Sequence, residues 1–154
     1  MEVTRKAEYA LSALVELASA PPGEYVASRV VAERQGIPPK LIPQLMATLA
    51  RHGLVEGQRG LGGGGRLAVK PEEIQMARVI ELIQGPVAVR RCLVAEGVCT
   101  RMDGCPLRQV WARAQEAMLS VLGSTTIADL VAARRALAER QDGEKAQAGS
   151  VGAP

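Results

Sequence analysis

The sequence contains no phenylalanine, and its only rings are Tyr9, Tyr25 and Trp111. So few aromatics exclude a stacking platform for single-stranded nucleic acid or RNA. No run approaches the roughly 18 to 20 consecutive apolar residues of a membrane span. Met1-Glu2-Val3-Thr4 opens an amphipathic pattern rather than a signal peptide. A soluble, cytoplasmic protein with no membrane partner is expected. The three cysteines are odd in number, which argues against a disulfide framework and leaves free thiols, a metal or a cluster. The single histidine, His52, lies far along the chain from the cysteines. A thiol or metal enzyme would lack its acid or base there, so neither catalysis nor a small-molecule substrate is expected.

What is present is 154 residues, 47% apolar and 23% charged, enough for one packed core with an appendage. The net charge of +3 is unevenly placed. Between residues 29 and 70, seven bases (Arg29, Arg34, Lys40, Arg51, Arg59, Arg66, Lys70) face two acids (Glu33, Glu56). Such a window is the footprint of a phosphate-binding face or, more plainly, a solvated surface.

Apolar residues at Val3, Ala7, Ala10, Leu11, Leu14, Val15 and Ala18 predict a first helix, broken by Pro21-Pro22-Gly23. Tyr25-Val26 can pair briefly as a strand. Ser28 is the expected N-cap of a short second helix ending at Gly36. A third helix follows, with Leu41, Leu45 and Leu49 on one face and Lys40, Gln44, Ala47, Thr48 and Arg51 on the other, closed by His52-Gly53. Pro43 requires its first turn to begin near Leu41, where a missing N–H costs nothing. Two helices around a tight turn outline a helix-turn-helix. Runs 54–58 and 66–70, separated by a glycine-rich stretch, predict a hairpin and complete a winged helix. A fourth helix is expected from Pro71 to Gly85, with Ile74, Ala77, Ile80 and Ile83 on one side. Pro106 then opens a long helix whose seam of Leu107, Trp111, Ala114, Met118 and Val121 suits dimerisation. Thr126-x-x-Asp129 resembles a capping box before a last helix. The fold class is mainly α with a small β-hairpin. The domains are a winged helix-turn-helix over 1–84, a cysteine loop over 85–105, dimerisation helices over 106–140 and a disordered tail over 141–154.

Three constellations bear on chemistry. Gly60-x-Gly62-x-x-Gly65 formally matches a dinucleotide-binding fingerprint, but a strand-like run and Pro71 follow where a helix is required. The glycines instead let a wing tip approach phosphates or a minor groove, with Arg59 and Arg66 at its base. On the third helix, Lys40 and Arg51 suit phosphates, Gln44 can present its amide to adenine, and Thr48 is small enough for close approach. Cys92-x6-Cys99-x5-Cys105 matches neither a zinc ribbon nor a Cys-x-x-Cys redox motif. Its thiols, near Arg90, Arg91 and Arg101, fit an iron-sulfur cluster or zinc, or stand as free thiols.

Taken together, Thr4-x-x-x-x-Tyr9-Ala10-Leu11, Gln35-Gly36-Ile37, Gly53-Leu54-Val55, Arg59-Gly60-x-Gly62-Gly63 and three cysteines before a helix containing Trp111 resemble the Rrf-two family of bacterial winged-helix transcription factors. The resemblance covers about residues 1 to 138 and points to the cluster-binding, IscR-, NsrR- and RirA-like branch. It implies a homodimer in which Cys92, Cys99 and Cys105 hold an iron-sulfur cluster. Some relatives complete the site with a histidine three residues after the last cysteine, where this chain has Arg108. Others use an acidic residue of the partner's first helix, the place of Glu8, so Glu8 is the expected fourth ligand. A four-iron cluster is favoured over a two-iron one. The expected function is a repressor that binds a double-stranded DNA operator with an affinity set by iron, nitric oxide or redox state. The alternative is the same regulator binding zinc or sensing thiol oxidation directly.

Overall fold

The computed structural model describes residues 3–58, 60, 63–95, 97 and 104–149. Helix α1 (Arg5–Ala18) is capped by Thr4, whose hydroxyl accepts the Ala7 N–H at 3.3 Å. The Thr4 N–H itself donates to the Gln84 side chain at 2.7 Å. Ala7, Ala10, Leu11, Ala13, Leu14 and Leu17 line the buried side of α1 at helical spacing. The small alanines let four other elements approach it closely.

Strand β1 (Val26–Ala27) leads directly into α2 (Ser28–Gln35). Ser28, expected as an N-cap, is instead the first helical residue. Ala27 is held extended by β-pairing, and no side chain caps the helix. Gly36 ends α2 in the left-handed region (φ 61°, ψ 29°), and the Ile37 N–H closes the turn on the Ala32 carbonyl at 2.9 Å. Helix α3 (Ile42–Arg51) starts one residue after Leu41, placing Pro43 in its first turn as expected. It buries Ile42, Leu45, Met46 and Leu49.

Strands β2 (Val55–Gln58) and β3 (Gly64–Leu67) form the hairpin, and β1 adds to the other edge of β3 in the antiparallel order β1-β3-β2. The sequence places the second strand at 66–70, but it begins at Gly64. A Cβ on Gly64 would run into the Val26 carbonyl, and one on Gly65 would meet the Met46 side chain and lie 2.8 Å from a Val55 methyl. These two glycines are strand residues because the backbones and core side chains around β3 leave no room for anything larger.

The expected fourth helix is interrupted. A 3₁₀ turn (Pro71–Glu73) ends at buried Ile74, and α4 (Met76–Gln84) starts after Gln75. Gln75 forms an isolated antiparallel bridge with Thr126. The Met76 N–H donates to the Thr125 carbonyl at 2.8 Å, and the Ile127 N–H to the Ile74 carbonyl at 2.9 Å. This nonlocal pairing outcompetes the helical hydrogen bonds that local periodicity suggests.

After a second 3₁₀ turn (Arg91–Leu93) comes α5 (Pro106–Ser124), with Pro106 at its first position as expected. Helix α6 (Ile127–Gly149) opens on the anticipated capping box. The Asp129 N–H donates to the Thr126 hydroxyl at 3.2 Å, and the Asp129 carboxylate accepts the Thr126 N–H at 2.8 Å and its hydroxyl at 2.7 Å. Those bonds hold the Asp129 carboxyl below the usual carboxylate range. The tail expected to be disordered from 141 instead continues the helix to Gly149. Alanine, glutamate, glutamine and lysine there are good helix formers despite their polarity. Residues 150–154 lie outside the described residues.

One core unites these elements. It is built from α1, α2, α3, Leu54, Val55, Ile74, Val79, Ile80, Val87 and the first turns of α6, through Ile127 and Val131. Glu16 is its one buried charged residue among those described, at 5% exposure. It accepts hydrogen bonds from Arg34 (2.8 Å) and Gln35 (2.7 Å) of α2 and from Arg134 (2.9 Å) of α6. Burial pushes its carboxyl upward, but the donors Arg34, Arg134 and Gln35, with the charge of Arg134, outweigh burial and hold it below the ordinary range.

Candidate nucleic-acid interface and cysteine loop

Burial of Ile42, Leu45, Met46 and Leu49 fixes the roll of α3 and turns Gln44, Ala47 and Arg51 outward, with Thr48 half-exposed among them. Lys40 is exposed in the turn before α3, where the Leu41 N–H bonds the Pro38 carbonyl at 2.8 Å. The Thr48 hydroxyl donates to the Gln44 carbonyl at 2.9 Å and accepts from Arg51 at 3.2 Å. Arg51 is thereby steered along the helix, while the Gln44 amide is exposed. Gln44, Thr48 and Arg51 therefore follow one another along one solvent-facing side of α3, with Lys40 in the turn just before it. Such side chains on one helix face are of the type that reads a major groove.

Sequence reading missed part of this surface. Arg5, Lys6 and Tyr9 of α1 line a groove of about 350 Å³ together with Pro38, Leu41, Gln44 and Leu45. Two more bases thus stand beside the start of α3. Their adjacency in the sequence was the available signal, but nothing local tells which element α1 packs against.

Arg59 lies outside the described residues, and the structure describes Arg66 in full. Its Nε donates to Glu56 at 2.8 Å, and its Nη2 lies 2.7 Å from the same carboxylate. Its Nη1 donates to the Gly23 carbonyl at 3.2 Å, and its guanidinium lies 4.9 Å from the centre of the Tyr25 ring. The Glu56 hydrogen bond and charge raise Arg66 further above its ordinary value. Glu56 and Tyr25 were not singled out in the sequence, because the β2–β3 register that sets Glu56 opposite Arg66 is visible only in the fold.

Cys92 sits in the Arg91–Leu93 turn, and Cys105 immediately precedes α5 as its N-cap residue; both are half-buried free thiols. Cys99 and Arg101 lie outside the described residues. Glu8 is exposed in the first turn of α1. Among the described residues of the single chain, no group of three potential ligands is assembled. Three thiols with one carboxylate are nevertheless a donor set suited to iron-sulfur chemistry, and Cys105 at a helix start is well placed for a negatively charged sulfur ligand.

Helix α5 has no fully buried residue. The expected seam divides in two. Trp111 and Met118 are half-buried, Met118 packing on the core beside Leu119 and Leu122, whereas Leu107 (55% exposed), Ala114 and Val121 (63%) are exposed and form a stripe with Val110 (57%), a residue outside the expected seam. No helix among the described residues is long and apolar enough to cross a membrane.

Residues 3–133 match the family described as Rrf2, iron-dependent transcriptional regulator. The chain is 35% identical to the transcriptional regulator IscR of Xenorhabdus nematophila over 147 residues, covering 94% of this chain and 89% of that protein. It is 30% identical to the protein rrf2 of Nitratidesulfovibrio vulgaris over 131 residues, or 85% and 87% of the two chains. Among solved structures, CymR, titled the global cysteine regulator of B. subtilis, superposes with a TM-score of 0.71 at 26% identity, covering 86% of this chain and 97% of that one. IscR of T. potens superposes with a TM-score of 0.68 at 28% identity, covering 87% and 88%.

Proposed function

Because the chain belongs to the Rrf2 family of winged-helix, DNA-binding transcriptional regulators and is not an enzyme, we propose that it is a homodimeric, cytoplasmic repressor controlled by an iron-sulfur cluster. Cys92, Cys99 and Cys105 of one copy and Glu8 of a second would hold the cluster, with four irons favoured. The observation that supports this reading is the position of Cys105 as the N-cap of α5. That joins the end of the cysteine loop to the helix whose apolar stripe is exposed among the described residues.

Lys40, Gln44, Thr48 and Arg51 enter successive major grooves from two copies, and Arg59 and Arg66 stand at the base of wings directed to the flanking minor grooves. Lys40 and Arg51 contact phosphates, and Gln44 reads a base edge. When bound, the cluster supplies iron–sulfur bonds that respond to iron supply, nitric oxide and oxidants. Cys92 and Cys105 would hold it at the two ends of the loop, and Glu8 would tie that loop to the second copy's α1. Without that tie the start of α5 would be free, and the spacing of the two winged units would change. A coupling of about 1–3 kcal/mol would alter operator affinity about 5- to 150-fold.

A second reading keeps the DNA interface but uses the thiols for zinc or direct oxidation. The half-buried free thiols Cys92 and Cys105 and the likeness to a cysteine regulator favour it over other rivals. The deciding experiment is anaerobic purification with an absorption spectrum and assays of iron, acid-labile sulfide and zinc, followed by operator binding of wild type and Cys99→Ala. Matching iron and sulfide, with operator binding altered in Cys99→Ala, support the cluster. Colourless protein that carries zinc or only thiols and resists reconstitution supports the second reading.

A further inference from the structure

The guanidinium of Arg66 is engaged by three other segments of its own chain. Its nitrogens meet Glu56 of β2 and the Gly23 carbonyl of the turn after α1, and its plane lies near the Tyr25 ring before β1. One side chain on β3 therefore ties three segments together. Strand pairing and the packing of Val26, Val55 and Leu67 on the core hold the sheet to the body, and Arg66 adds the directional polar tie at its outer edge. A cleft of about 510 Å³ separates the end of α1 and the Pro21–Glu24 turn from residues 67–71. Glu56 and Arg66 are both substantially solvent-exposed, and exposed ion pairs contribute little to stability. What the fork fixes is direction: Nε and Nη2 on one carboxylate and Nη1 on a carbonyl permit one orientation of the hairpin relative to α1.

We propose that Arg66 is a wing-positioning residue, which aims the β2–β3 hairpin at DNA by clamping Glu56, the Gly23 carbonyl and Tyr25, and which does not itself contact a phosphate. The inference rests on the winged-helix DNA-binding fold and is independent of the cluster. The Glu56 carboxylate already neutralises the guanidinium, so the wing's charge toward DNA comes from elsewhere on the hairpin. Glu56 is thereby part of the DNA-binding apparatus although it is an acid beside a polyanion.

The two roles predict opposite signs. The probe is a fluorescent duplex that the wild-type protein recovers from a random-sequence pool, titrated at one fixed salt concentration with a single preparation state. If Arg66 touched phosphate, Glu56→Gln would release its charge and tighten binding, and Arg66→Lys would retain most of the affinity. If it positions the wing, Glu56→Gln weakens binding although a negative charge has been removed, and Arg66→Lys weakens it although the positive charge is kept. The expected loss in each is about 5- to 30-fold, the factor that corresponds to about 1–2 kcal/mol of lost orientation. Melting temperature and far-ultraviolet circular dichroism of each variant provide the control. Weakened binding at an unchanged melting temperature supports positioning. Tighter binding by Glu56→Gln, affinity unchanged in Arg66→Lys, or losses that merely track a lower melting temperature would each overturn it. A wild-type protein that recovers no duplex would sink the DNA-binding reading itself, and this inference with it.

Discussion

Helices α1 and α5 have similar apolar periodicity and opposite fates. Along α1, Ala7, Ala10, Leu14 and Leu17 disappear into contacts with α2, α4, α6 and β3. Along α5, Leu107, Val110, Ala114 and Val121 form an equally regular stripe that stays exposed among the described residues. The difference lies in residue size and chain position. Alanines on α1 admit neighbouring backbones, and α2, α4, α6 and β3 pack over it, whereas α5 meets the body through α4 and through Met118, Leu119 and Leu122. Periodicity thus reports that a face needs cover, and only the fold tells whether the same chain provides it.

The contrast can be tested from its strongest consequence downward. Leu49→Ala, in the core that α1 organises, is expected to cost about 2–5 kcal/mol in a denaturant titration; a loss below 1 kcal/mol would mean the core is loose. Glu16→Gln, which removes the charge that binds α1 to α2 and α6, is expected to cost about 1.5–3 kcal/mol near neutral pH. Because the folded Glu16 carboxyl is held below its ordinary value, its stabilisation is present above the unfolded carboxylate pKa and fades as pH falls through the folded one. The wild type should therefore lose its advantage over Glu16→Gln with acidification, and an equal gap across that window would break the assignment. Gly65→Ala should cost about 1–3 kcal/mol by forcing a methyl against Met46 and Val55. Thr4→Ala, which removes only the cap of α1, should cost about 1 kcal/mol on thermal melting. Val121→Ser on the α5 stripe should change monomer stability by less than about 0.5 kcal/mol, while lowering the mass seen by light scattering. If it costs as much as Leu49→Ala at concentrations where the chain is monomeric, the stripe is core and the comparison fails.

Much of the fold was legible because its signals are local. Gly36, Pro43, Gly53, Pro106 and the Thr126–Asp129 pair each act within a few residues, and the structure places helix boundaries at or beside them. The rest depends on partners distant in sequence. Gly64 and Gly65 have no side chains to alternate, so the start of β3 carried no pattern. The break at Ile74-Gln75 exists because Thr125 and Thr126 arrive to pair with it. The face of α3 was readable from Leu45 and Leu49 alone, since whatever is buried defines what is not. Arg66 was legible as a base beside the glycine-rich tip, but its clamp on Gly23, Tyr25 and Glu56 required three separate segments to converge. Glu16 drew no notice as one of two acids on α1, because its partners Arg34 and Arg134 lie 18 and 118 residues away.

The backbone bridge of Gln75 with Thr126 has a topological consequence. The chain leaves this point at Met76, runs through α4, the cysteine-bearing stretch and all of α5, and returns to the same point at Thr125. Ile74 and Ile127, on either side of the junction, are fully buried. The whole excursion is therefore a closed side branch: α4 seats its root through Val79 and Ile80, and Met118, Leu119 and Leu122 rest its far limb on the body. A branch that departs and re-enters through one staple can be lengthened, shortened or re-equipped at its outer bend without re-threading the domain that bears it.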